Sequence, residues 1–371
     1  MSRKLNILLT FPNTNKGGAF VTALQAAEIL SKRNNVVFLI GGKKYAEAAK
    51  FYGCNVSKVK FVVYSGKEKR HLTNLLEPLL LWSKMNALVK KIKFNIFIDF
   101  GGTLLNGFLA KFYNLPSLAT FHEFTQGTNG GWLSKIYYKL FLLLSKLALS
   151  GFSIISTNSK YTQRTFYQNF GITPIVRYPL VTDYFFKRKA NGLGNYVLCL
   201  CRIAKHKNLE NLISAYKKMH TDVPFLIVGS VTDRNYLEDL KNTAKGRNIQ
   251  FLTNVSRESV LDIMKQAKVF WYGYGYEWFG LVLAEAQALG LPIVTFGGGA
   301  PSEIVLDGKT GFVVKSEEEM AKKTELLLKD RHLWQKMSAS AKNAASRFSP
   351  KEFERKLYET MELALNKYEK T

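Results

Sequence analysis

Short apolar runs alternate with helix-forming segments along most of the chain. The runs lie at residues 6–11, 36–40, 61–64, 94–100, 118–121 and 152–157 in the first half, and at 196–200, 225–228, 249–252, 269–272 and 292–296 in the second. Segments with helical spacing, such as Phe20–Leu30, separate them. Continuous apolar runs of this length are typical of parallel strands that helices cover on both faces. The pattern therefore predicts the α/β class.

Two successive series of runs predict two domains, which agrees with a length of 371 residues. Each series predicts a doubly wound, Rossmann-like sheet, in which ligands bind at the carboxyl ends of the strands. The polar stretch Pro179–Asn195 separates the two series. We therefore place an N-terminal domain at 1–181 and a C-terminal domain at 190–348, and we expect them to face a central cleft.

A last helix is predicted at 350–371. Its apolar residues Phe353, Leu357, Met361 and Leu365 recur every four positions, so they form a stripe on one side of the helix. Such a stripe has to be buried against another part of the chain.

The charge of the chain is strongly positive. It has 53 Lys and Arg against 28 Asp and Glu, a formal net charge of +25, and most of the excess lies in the first half. A basic surface attracts phosphorylated substrates, nucleic acids or anionic membranes. The hydrophobic fraction of 47% excludes global disorder.

The cysteines indicate a reducing environment. There are three of them, and Cys199 and Cys201 lie in an apolar run, where alternate residues share one face of a strand. We interpret these two as buried thiols rather than as part of a disulfide framework or a metal site. We also find no signal-peptide pattern and no spanning run of 18 uncharged apolar residues, so we expect a cytoplasmic location.

The chemistry of the second half centres on two glutamates, Glu277 and Glu285, which are eight positions apart. We place Glu277 in a loop and Glu285 about one turn into a helix that follows Gly280. The backbone N–H groups at this helix start would favour a phosphate, and two carboxylates beside it could accept hydrogen bonds from sugar hydroxyls. The donors would come from Phe279, Gly280, Leu281 and Val282. On spacing alone, an ordinary helix start with a solvated glutamate is an equally good interpretation.

The wider context resembles family 4 of the retaining glycosyltransferases with the GT-B fold. Residues 272–294 resemble the Glu-x7-Glu signature of that family, and the likeness continues through 296–305 and 307–314. Residues 201–213 resemble the segment that binds the donor phosphates. The likeness is nearly continuous from about 196 to 348, whereas the N-terminal half matches only in outline. Trp278 departs from the family, which usually has Gly there.

The resemblance implies a role for each matching residue. Arg202 and Lys207 would neutralise a nucleotide diphosphate, with Lys205 as a weaker candidate. Glu285 would hold the ribose hydroxyls, and Glu277 would contact the hydroxyls of the transferred sugar. From the N-terminal domain, His122 would lie under the sugar, and Gly17 and Gly18 would let the first loop approach the substrates closely. The simpler alternatives are basic surface residues, a structural histidine and a plain turn.

The resemblance also implies a reaction. A hexose would pass from a nucleotide-diphosphate sugar to a glycan or lipid-linked acceptor by front-face transfer, and its anomeric configuration would be retained. The leaving diphosphate would take the proton of the acceptor, so no carboxylate nucleophile is needed. Because no Asp-x-Asp motif occurs, we expect no metal and no cofactor. In this family the end of the chain crosses back from the C-terminal domain to the N-terminal domain. The resemblance therefore implies that the last helix packs on the N-terminal domain.

Residues 132–150 have the pattern of an interfacial helix. Lys135, Lys139 and Lys146 fall on one face, and most of the remainder is apolar or aromatic. A second apolar and basic region runs from 79 to 93. The alternative is a core helix with a solvated lysine stripe. The positive charge of the first half favours peripheral attachment to the anionic cytoplasmic leaflet, where a lipid-linked acceptor would be found.

Other functions fit the sequence less well. Another GT-B enzyme, such as a nucleotide-sugar epimerase or a phosphorylase, would share the architecture. A catalytically inactive scaffold would not need all four residues Glu277, Glu285, Arg202 and Lys207. A nucleic-acid-binding protein would explain the charge, but the basic residues are scattered and no recognition motif occurs, so we expect no nucleic acid partner.

Overall fold

The computed structural model describes residues 4–12, 17–64, 77–103, 106–123 and 142–369. The chain forms two compact units. Unit 1 comprises Met1–Leu180 and Phe353–Thr371, and unit 2 comprises Val181–Glu352. Each unit is an α/β structure around one parallel sheet. The fold class predicted from the apolar runs, two Rossmann-like doubly wound units, is confirmed.

The sheet of unit 1 has seven parallel strands in the order β3-β2-β1-β4-β5-β6-β7. They are β1 (Asn6–Phe11), β2 (Asn35–Ile40), β3 (Val59–Val63), β4 (Ile96–Asp99), β5 (Ser117–Phe121), β6 (Ile154–Thr157) and β7 (Ile175–Val176). Because every pairing is parallel, the carboxyl ends of all these strands lie along one edge of the sheet.

Helices cover both faces of this sheet. They are α1 (Gly18–Ser31), α2 (Tyr45–Tyr52), α3 (Glu77–Val89), α4 (Asn106–Phe112), α5 (142–149) and α6 (Lys160–Phe170). Alternate residues of a strand point to opposite faces. In β1, Leu9 joins the core under α1 and α2, whereas Leu8 joins the core under α3, α4 and α5.

The sheet of unit 2 has six parallel strands in the order β10-β9-β8-β11-β12-β13. The strands are β8 (Val197–Leu200), β9 (Phe225–Val228), β10 (Ile249–Leu252), β11 (Val269–Tyr272), β12 (Ile293–Phe296) and β13 (Gly311–Val314). The helices are α7 (Asp183–Phe186), α8 (Leu209–Lys217), α9 (Arg234–Ala244), α10 (Arg257–Gln266), α11 (Leu281–Leu289), α12 (Pro301–Ile304), α13 (Glu317–Lys329) and α14 (Arg331–Ala344). Side chains such as Ser256 and Ser316 cap helix starts by accepting a backbone N–H.

The last helix, α15 (Pro350–Glu369), carries the apolar stripe noted in the sequence. Phe353, Leu357 and Met361 are buried in the core of unit 1 together with β1 and α1, and Leu365 packs against the same core. Near its end, the Tyr368 hydroxyl donates to the Asn114 carbonyl at 2.7 Å. From Phe353 onwards the helix is therefore part of unit 1, although it follows unit 2 in the chain.

Two strands are absent from the sequence-based prediction. β7 has only two residues, which is too short for a periodic signal. β13 lies at the edge of its sheet and begins at Gly311, where a Cβ atom would lie 2.0 Å from the Ile293 carbonyl oxygen. In sequence analysis a glycine usually indicates the end of a strand, but here it allows β13 to approach β12 closely.

Within the described ranges, no helix is both long enough and apolar enough to cross a membrane.

Candidate functional site

The candidate site of unit 2 lies where β8 and β11 end. These strands are neighbours in the sheet, with Val269 beside Val197 and Phe270 beside Leu198. Since both run in the same direction, the segments that follow them emerge side by side. The segment after β8 carries Arg202 and Lys207, and the segment after β11 carries Glu277.

Gly273 allows these two segments to pack closely. A single 3-10 turn, Lys205–Lys207, follows β8. A Cβ atom at position 273 would lie 3.0 Å from the Lys207 carbonyl oxygen and 2.9 Å from that of Asn208. A larger residue at the end of β11 would therefore push the turn away and move the Lys207 side chain.

Lys207, Glu277 and Tyr272 form one contact. The Lys207 ammonium pairs with Glu277 Oε2 and also donates to the Tyr272 hydroxyl at 3.3 Å. The Tyr272 hydroxyl in turn donates to Glu277 Oε2 at 2.6 Å. The side chains of Lys207 and Glu277 are only 11% and 20% exposed, so water screens the pair weakly.

This contact decides the charge of Glu277. Burial alone would raise the pKa of its carboxyl group, but the charge and hydrogen bond of Lys207 and the hydrogen bond of Tyr272 hold that pKa below its ordinary value. The carboxylate is therefore ionised at neutral pH and can accept further hydrogen bonds.

The segment that follows β12 also holds the loop that carries Glu277. The segment after β12 donates from the Gly299 N–H to the Gly275 carbonyl at 2.5 Å and from the Ala300 N–H to the Glu277 carbonyl at 3.0 Å. Gly280 then takes the left-handed conformation with φ of 83° and leads directly into α11. Such a φ favours glycine.

The start of α11 presents backbone donors next to Glu277. The first N–H groups of a helix have no partner within it, and the helix dipole adds partial positive charge there. Leu281 and Val282 are half-buried at this position, whereas Phe279 is buried against the ring of Phe348. The arrangement can hold an anion beside a carboxylate.

Glu285 lies on α11 one turn after its start, as predicted. It is half-buried, and its carboxyl group accepts no hydrogen bond from the described residues. Burial raises the pKa of Glu285 to about 7, while the charge of Arg257 acts in the opposite direction. Near neutral pH this carboxyl group is therefore about half protonated, unless a ligand donates hydrogen bonds to it.

The other basic residues of the segment are more exposed. The side chains of Arg202 and Lys205 lie at the surface. Burial lowers the pKa of His206, and the charges of Lys207 and Arg202 lower it further. His206 is thus neutral at pH 7, and the positive charge of the segment comes from one arginine and two lysines.

In unit 1, His122 follows β5 directly. Burial and the charge of Arg177 lower the pKa of His122 to about 3, although a hydrogen bond to the Phe100 backbone opposes them. The imidazole is therefore neutral, and its buried Nε2 has no hydrogen-bond partner among the described residues. A neutral, unpaired ring nitrogen can accept a hydrogen bond from a hydroxyl group.

Gly17 and Gly18 lie at the start of α1, and both are exposed. Gly17 has an extended backbone with φ of −131°, which any residue can adopt. Residues 13–16, which precede them, lie outside the described ranges. The close approach of this loop to a substrate stays a prediction.

Two polar residues of the strand ends were missed in the sequence. Tyr272 reads as the last residue of an apolar strand, and only its hydroxyl contacts reveal another role. Asp99 ends β4, and it accepts from Thr10 Oγ1 at 3.0 Å and from the Thr103 N–H at 2.9 Å. Burial raises the pKa of Asp99 to about 6, and its partners all belong to unit 1, so we interpret it as a structural residue.

A pH dependence follows from Glu285. If its carboxylate accepts two hydroxyl hydrogen bonds of a nucleotide, only the ionised form binds well, so affinity should fall as the pH drops below about 7. We expect binding about tenfold weaker at pH 6 than at pH 8. Calorimetry at both pH values measures it.

The control for this titration is Glu285→Gln. It should bind the nucleotide weakly, and its affinity should lack the pH dependence that comes from the Glu285 carboxyl group. Ionisation of the ligand phosphates will remain in the variant and can be subtracted. The exposed Glu258→Gln should behave like the wild type. An unchanged pH profile in Glu285→Gln would show that this carboxyl group does not contact the nucleotide.

A family model matches much of unit 2. Residues 181–345, somewhat less than half of the chain, match the model described as glycosyl transferases group 1. This stretch contains the site residues of unit 2.

Curated relatives share parts of the sequence. The alpha-1,3/1,6-mannosyltransferase ALG2 of Saccharomyces cerevisiae is 26% identical over 223 residues, which cover 47% of this chain and 44% of that protein. A GDP-mannose-dependent alpha-(1-6)-phosphatidylinositol monomannoside mannosyltransferase of Mycolicibacterium smegmatis is 31% identical over 185 residues, covering 43% of this chain and 48% of that protein. The chain thus spans less than half the length of these relatives.

Solved structures resemble almost the whole chain. Alr3699/HepE of Anabaena, in complex with UDP-glucose, superposes with a TM-score of 0.76 at 18% identity, and the match covers 96% of this chain and 99% of that one. A glycosyltransferase from Rickettsia africae gives a TM-score of 0.78 at 17% identity, covering 98% and 99%. These likenesses show the fold.

Proposed function

We propose that the chain is a glycosyltransferase that transfers a hexose from a nucleotide-diphosphate sugar to a glycan or lipid-linked acceptor. The observation that carries the proposal is the contact between Lys207 and Glu277 at the start of α11, with Glu285 one turn further on. The cation and the helix start suit the diphosphate of such a donor. The two carboxylates suit its sugar hydroxyls and its ribose hydroxyls.

The relatives support this class of reaction. Both mannosyltransferases align with parts of this chain, and the one from Mycolicibacterium smegmatis is named as dependent on GDP-mannose. Among the structural neighbours, HepE binds UDP-glucose. We therefore infer a nucleoside diphosphate as the leaving group and leave both UDP and GDP as donors for experiment.

In the proposed reaction, unit 2 binds the donor. Lys207 and Arg202 would neutralise the diphosphate, and backbone N–H groups near Leu281 and Val282 would bind one of its phosphates. Glu285 would accept the ribose hydroxyls and Glu277 those of the sugar. As the bond between the anomeric carbon and the diphosphate breaks, the same basic groups would stabilise the growing negative charge.

The acceptor would attack from the side of the leaving group. Its oxygen would bond to the anomeric carbon while its proton passes to the departing diphosphate, so the anomeric configuration is retained. We propose that this needs no metal and no cofactor. From unit 1, the unpaired Nε2 of His122 would accept a hydrogen bond from a sugar hydroxyl, and Gly17 and Gly18 would lie near the substrates.

A thermal-shift screen of nucleoside diphosphates and nucleotide sugars tests the proposal. A ligand at 100 times its Kd stabilises the folded state by about 2.7 kcal/mol, which is easily measured. The proposal expects stabilisation by one nucleoside diphosphate and its sugar conjugate, in EDTA as well. Proton NMR of the product then reports the anomeric configuration. Stabilisation only by sugar 1-phosphates or by free glycans would favour a phosphorylase instead.

We also propose that unit 1 binds an anionic membrane surface on the cytoplasmic side. Of the predicted interfacial segment 132–150, residues 132–141 lie outside the described ranges, and Lys135 and Lys139 with them. In the described part, Leu143, Leu144 and Leu147 are 57%, 50% and 55% exposed. Lys146 is exposed among them.

The neighbouring helices extend this apolar surface. α3, α4 and α5 cover one face of the sheet, and their inner residues share one core. Large apolar side chains are exposed on the outer side of all three, namely Leu79, Leu80, Trp82, Phe108, Phe112, Leu143, Leu144 and Leu147. Lys84, Lys111 and Lys146 are exposed on the same helices. Apolar and basic residues on one face are typical of an interfacial surface.

Charge reversal on this face should abolish vesicle binding. Each lysine near an anionic surface contributes about 1 kcal/mol, so the triple variant Lys84→Glu, Lys111→Glu and Lys146→Glu should lose co-sedimentation with anionic vesicles. The matched control reverses Lys245, Lys322 and Lys329, which are exposed on unit 2. Equal binding by the wild type and both triple variants, or concentration-dependent dimerisation without vesicles, would contradict the membrane proposal.

A further inference from the structure

We propose that Tyr272 is a positioning residue, whose hydroxyl holds the Glu277 carboxylate in place when Lys207 leaves it to bind the donor diphosphate. The inference rests on the proposed function, and it adds a residue and a rearrangement to that site. It starts from the observation that one carboxylate oxygen, Glu277 Oε2, has two partners.

The first partner, Lys207, has to serve two anions. Its ammonium group has three donors, and Glu277 and the Tyr272 hydroxyl already accept two of them. A diphosphate carries more negative charge than a carboxylate, so it competes for the same cation. Nζ of Lys207 lies over the rings of Tyr272 and Tyr274, 5.8 and 5.3 Å from their centroids, and a flexible four-carbon stem joins it to the backbone. The amine can therefore swing away from Glu277.

The departure of Lys207 would remove the charge that keeps the Glu277 carboxyl group ionised and one of the hydrogen bonds that orient it. The side chain of Glu277 is only 20% exposed, and burial by itself favours its protonated form. A protonated carboxyl group accepts sugar hydroxyls poorly, and an unsupported side chain loses its orientation. A second, immobile partner removes both problems.

Tyr272 has the properties of such a partner. It is the last residue of β11 and only 3% exposed, so its ring is fixed by the sheet and by the surrounding core. Burial and the neighbouring charge of Glu277 raise the pKa of Tyr272 well above its ordinary value, so the hydroxyl remains a donor at every physiological pH. Its bond to Glu277 Oε2 is 2.6 Å long, and the proton in that bond comes from Tyr272 and not from Lys207.

The charged and titratable groups facing Glu277 come from two segments. Lys207 and His206 lie on the 3-10 turn after β8, and Tyr272 ends β11. Arg202 acts on His206 and therefore only indirectly. Removing the Tyr272 hydroxyl takes away a hydrogen bond that lowers the pKa of Glu277, so that pKa should rise.

The test in the enzyme is Tyr272→Phe, which removes one oxygen atom. We expect kcat to fall by about tenfold or more, since a hydrogen bond to a charged group is lost. The Kd of the nucleoside diphosphate should stay within about twofold, because the contact of Tyr272 with Lys207 is one that the lysine would give up when it binds the diphosphate. The acidic limb of the pH–rate profile should move to higher pH. Unchanged kcat, or a Kd that rises in parallel with the loss of kcat, would overturn the inference.

The matched control is Tyr216→Phe. Tyr216 is also fully buried in unit 2, and its hydroxyl donates to the Val223 carbonyl at 2.6 Å, away from the site. It reports the cost of losing a buried tyrosine hydroxyl in general. It should change stability but neither kcat nor the pH profile.

A second test of the inference does not require enzymatic turnover. Lys207→Met imitates the departed lysine, and carbon-detected NMR of the Glu277 carboxyl group gives its pKa. We expect a higher pKa in the double variant Lys207→Met, Tyr272→Phe than in Lys207→Met alone, and equal values would overturn the inference. If the wild type turns over no nucleotide sugar, the proposed function fails, whereas this comparison still decides the role of Tyr272. Should Lys207→Met fail to fold, wild type and Tyr272→Phe provide the same comparison.

Discussion

Replacing Lys207 with alanine should weaken the binding of a nucleoside diphosphate by about 10- to 150-fold, the equivalent of about 1.5–3 kcal/mol for a charge-assisted hydrogen bond. Lys207 lies half-buried on the turn after β8, so its charge would act on the phosphates with little screening by water. Arg202 is exposed, so Arg202→Ala should also weaken the binding of the nucleoside diphosphate, but by a smaller factor. Isothermal titration calorimetry measures both.

The control for this pair is Lys205→Ala, since Lys205 lies on the same turn with an exposed side chain. It should bind the nucleoside diphosphate nearly as well as the wild type. A circular-dichroism melt shows whether each variant is folded. Unchanged affinity in both Lys207→Ala and Arg202→Ala would place the diphosphate elsewhere.

Glu277→Gln should lose most turnover, on the order of 10²-fold in kcat, and still bind the nucleoside diphosphate. The carboxylate would accept hydroxyls of the transferred sugar, whereas the amide of glutamine offers one acceptor and no charge. Because the variant also releases Lys207 from its ion pair, the Kd of the nucleoside diphosphate should stay equal or become lower. Separate measurement of kcat and of the nucleotide Kd distinguishes these effects.

The comparison for this variant is Glu285→Ala, which should mainly weaken nucleotide binding. Glu277 precedes α11 and Glu285 lies within it, so the two carboxylates are expected to contact different parts of the donor. Reversed phenotypes would mean that the two roles are exchanged. Normal turnover by Glu277→Gln would remove this residue from the site.

The apolar pattern was sufficient to predict most of the fold. The strands β9 and β11 begin and end where their apolar runs do, because fully buried parallel strands contain almost no polar residue. β7 and β13 were missed, since one is two residues long and the other begins at a glycine at the sheet edge. Their positions follow from pairing with other strands and not from their own sequences.

The site was only partly predictable. Lys207 and Glu277 were named from their likeness to a family, but they are 70 positions apart, and their ion pair depends on β8 and β11 being neighbours in the sheet. The role of Tyr272 had no sequence signal, because a tyrosine that ends an apolar run looks like core. The raised pKa of Glu285 likewise follows from packing around α11.

The central claim is that the site of unit 2 uses a nucleotide-diphosphate sugar as its donor. The most direct measurement is the release of nucleoside diphosphate from a panel of UDP- and GDP-sugars, with and without glycan and lipid-linked acceptors. We predict release from one donor that depends on an acceptor, is accompanied by a glycosylated product, and is lost in Glu277→Gln. Epimerisation of the donor sugar, or formation of a sugar 1-phosphate from glycan and phosphate with no acceptor-dependent release, would contradict it.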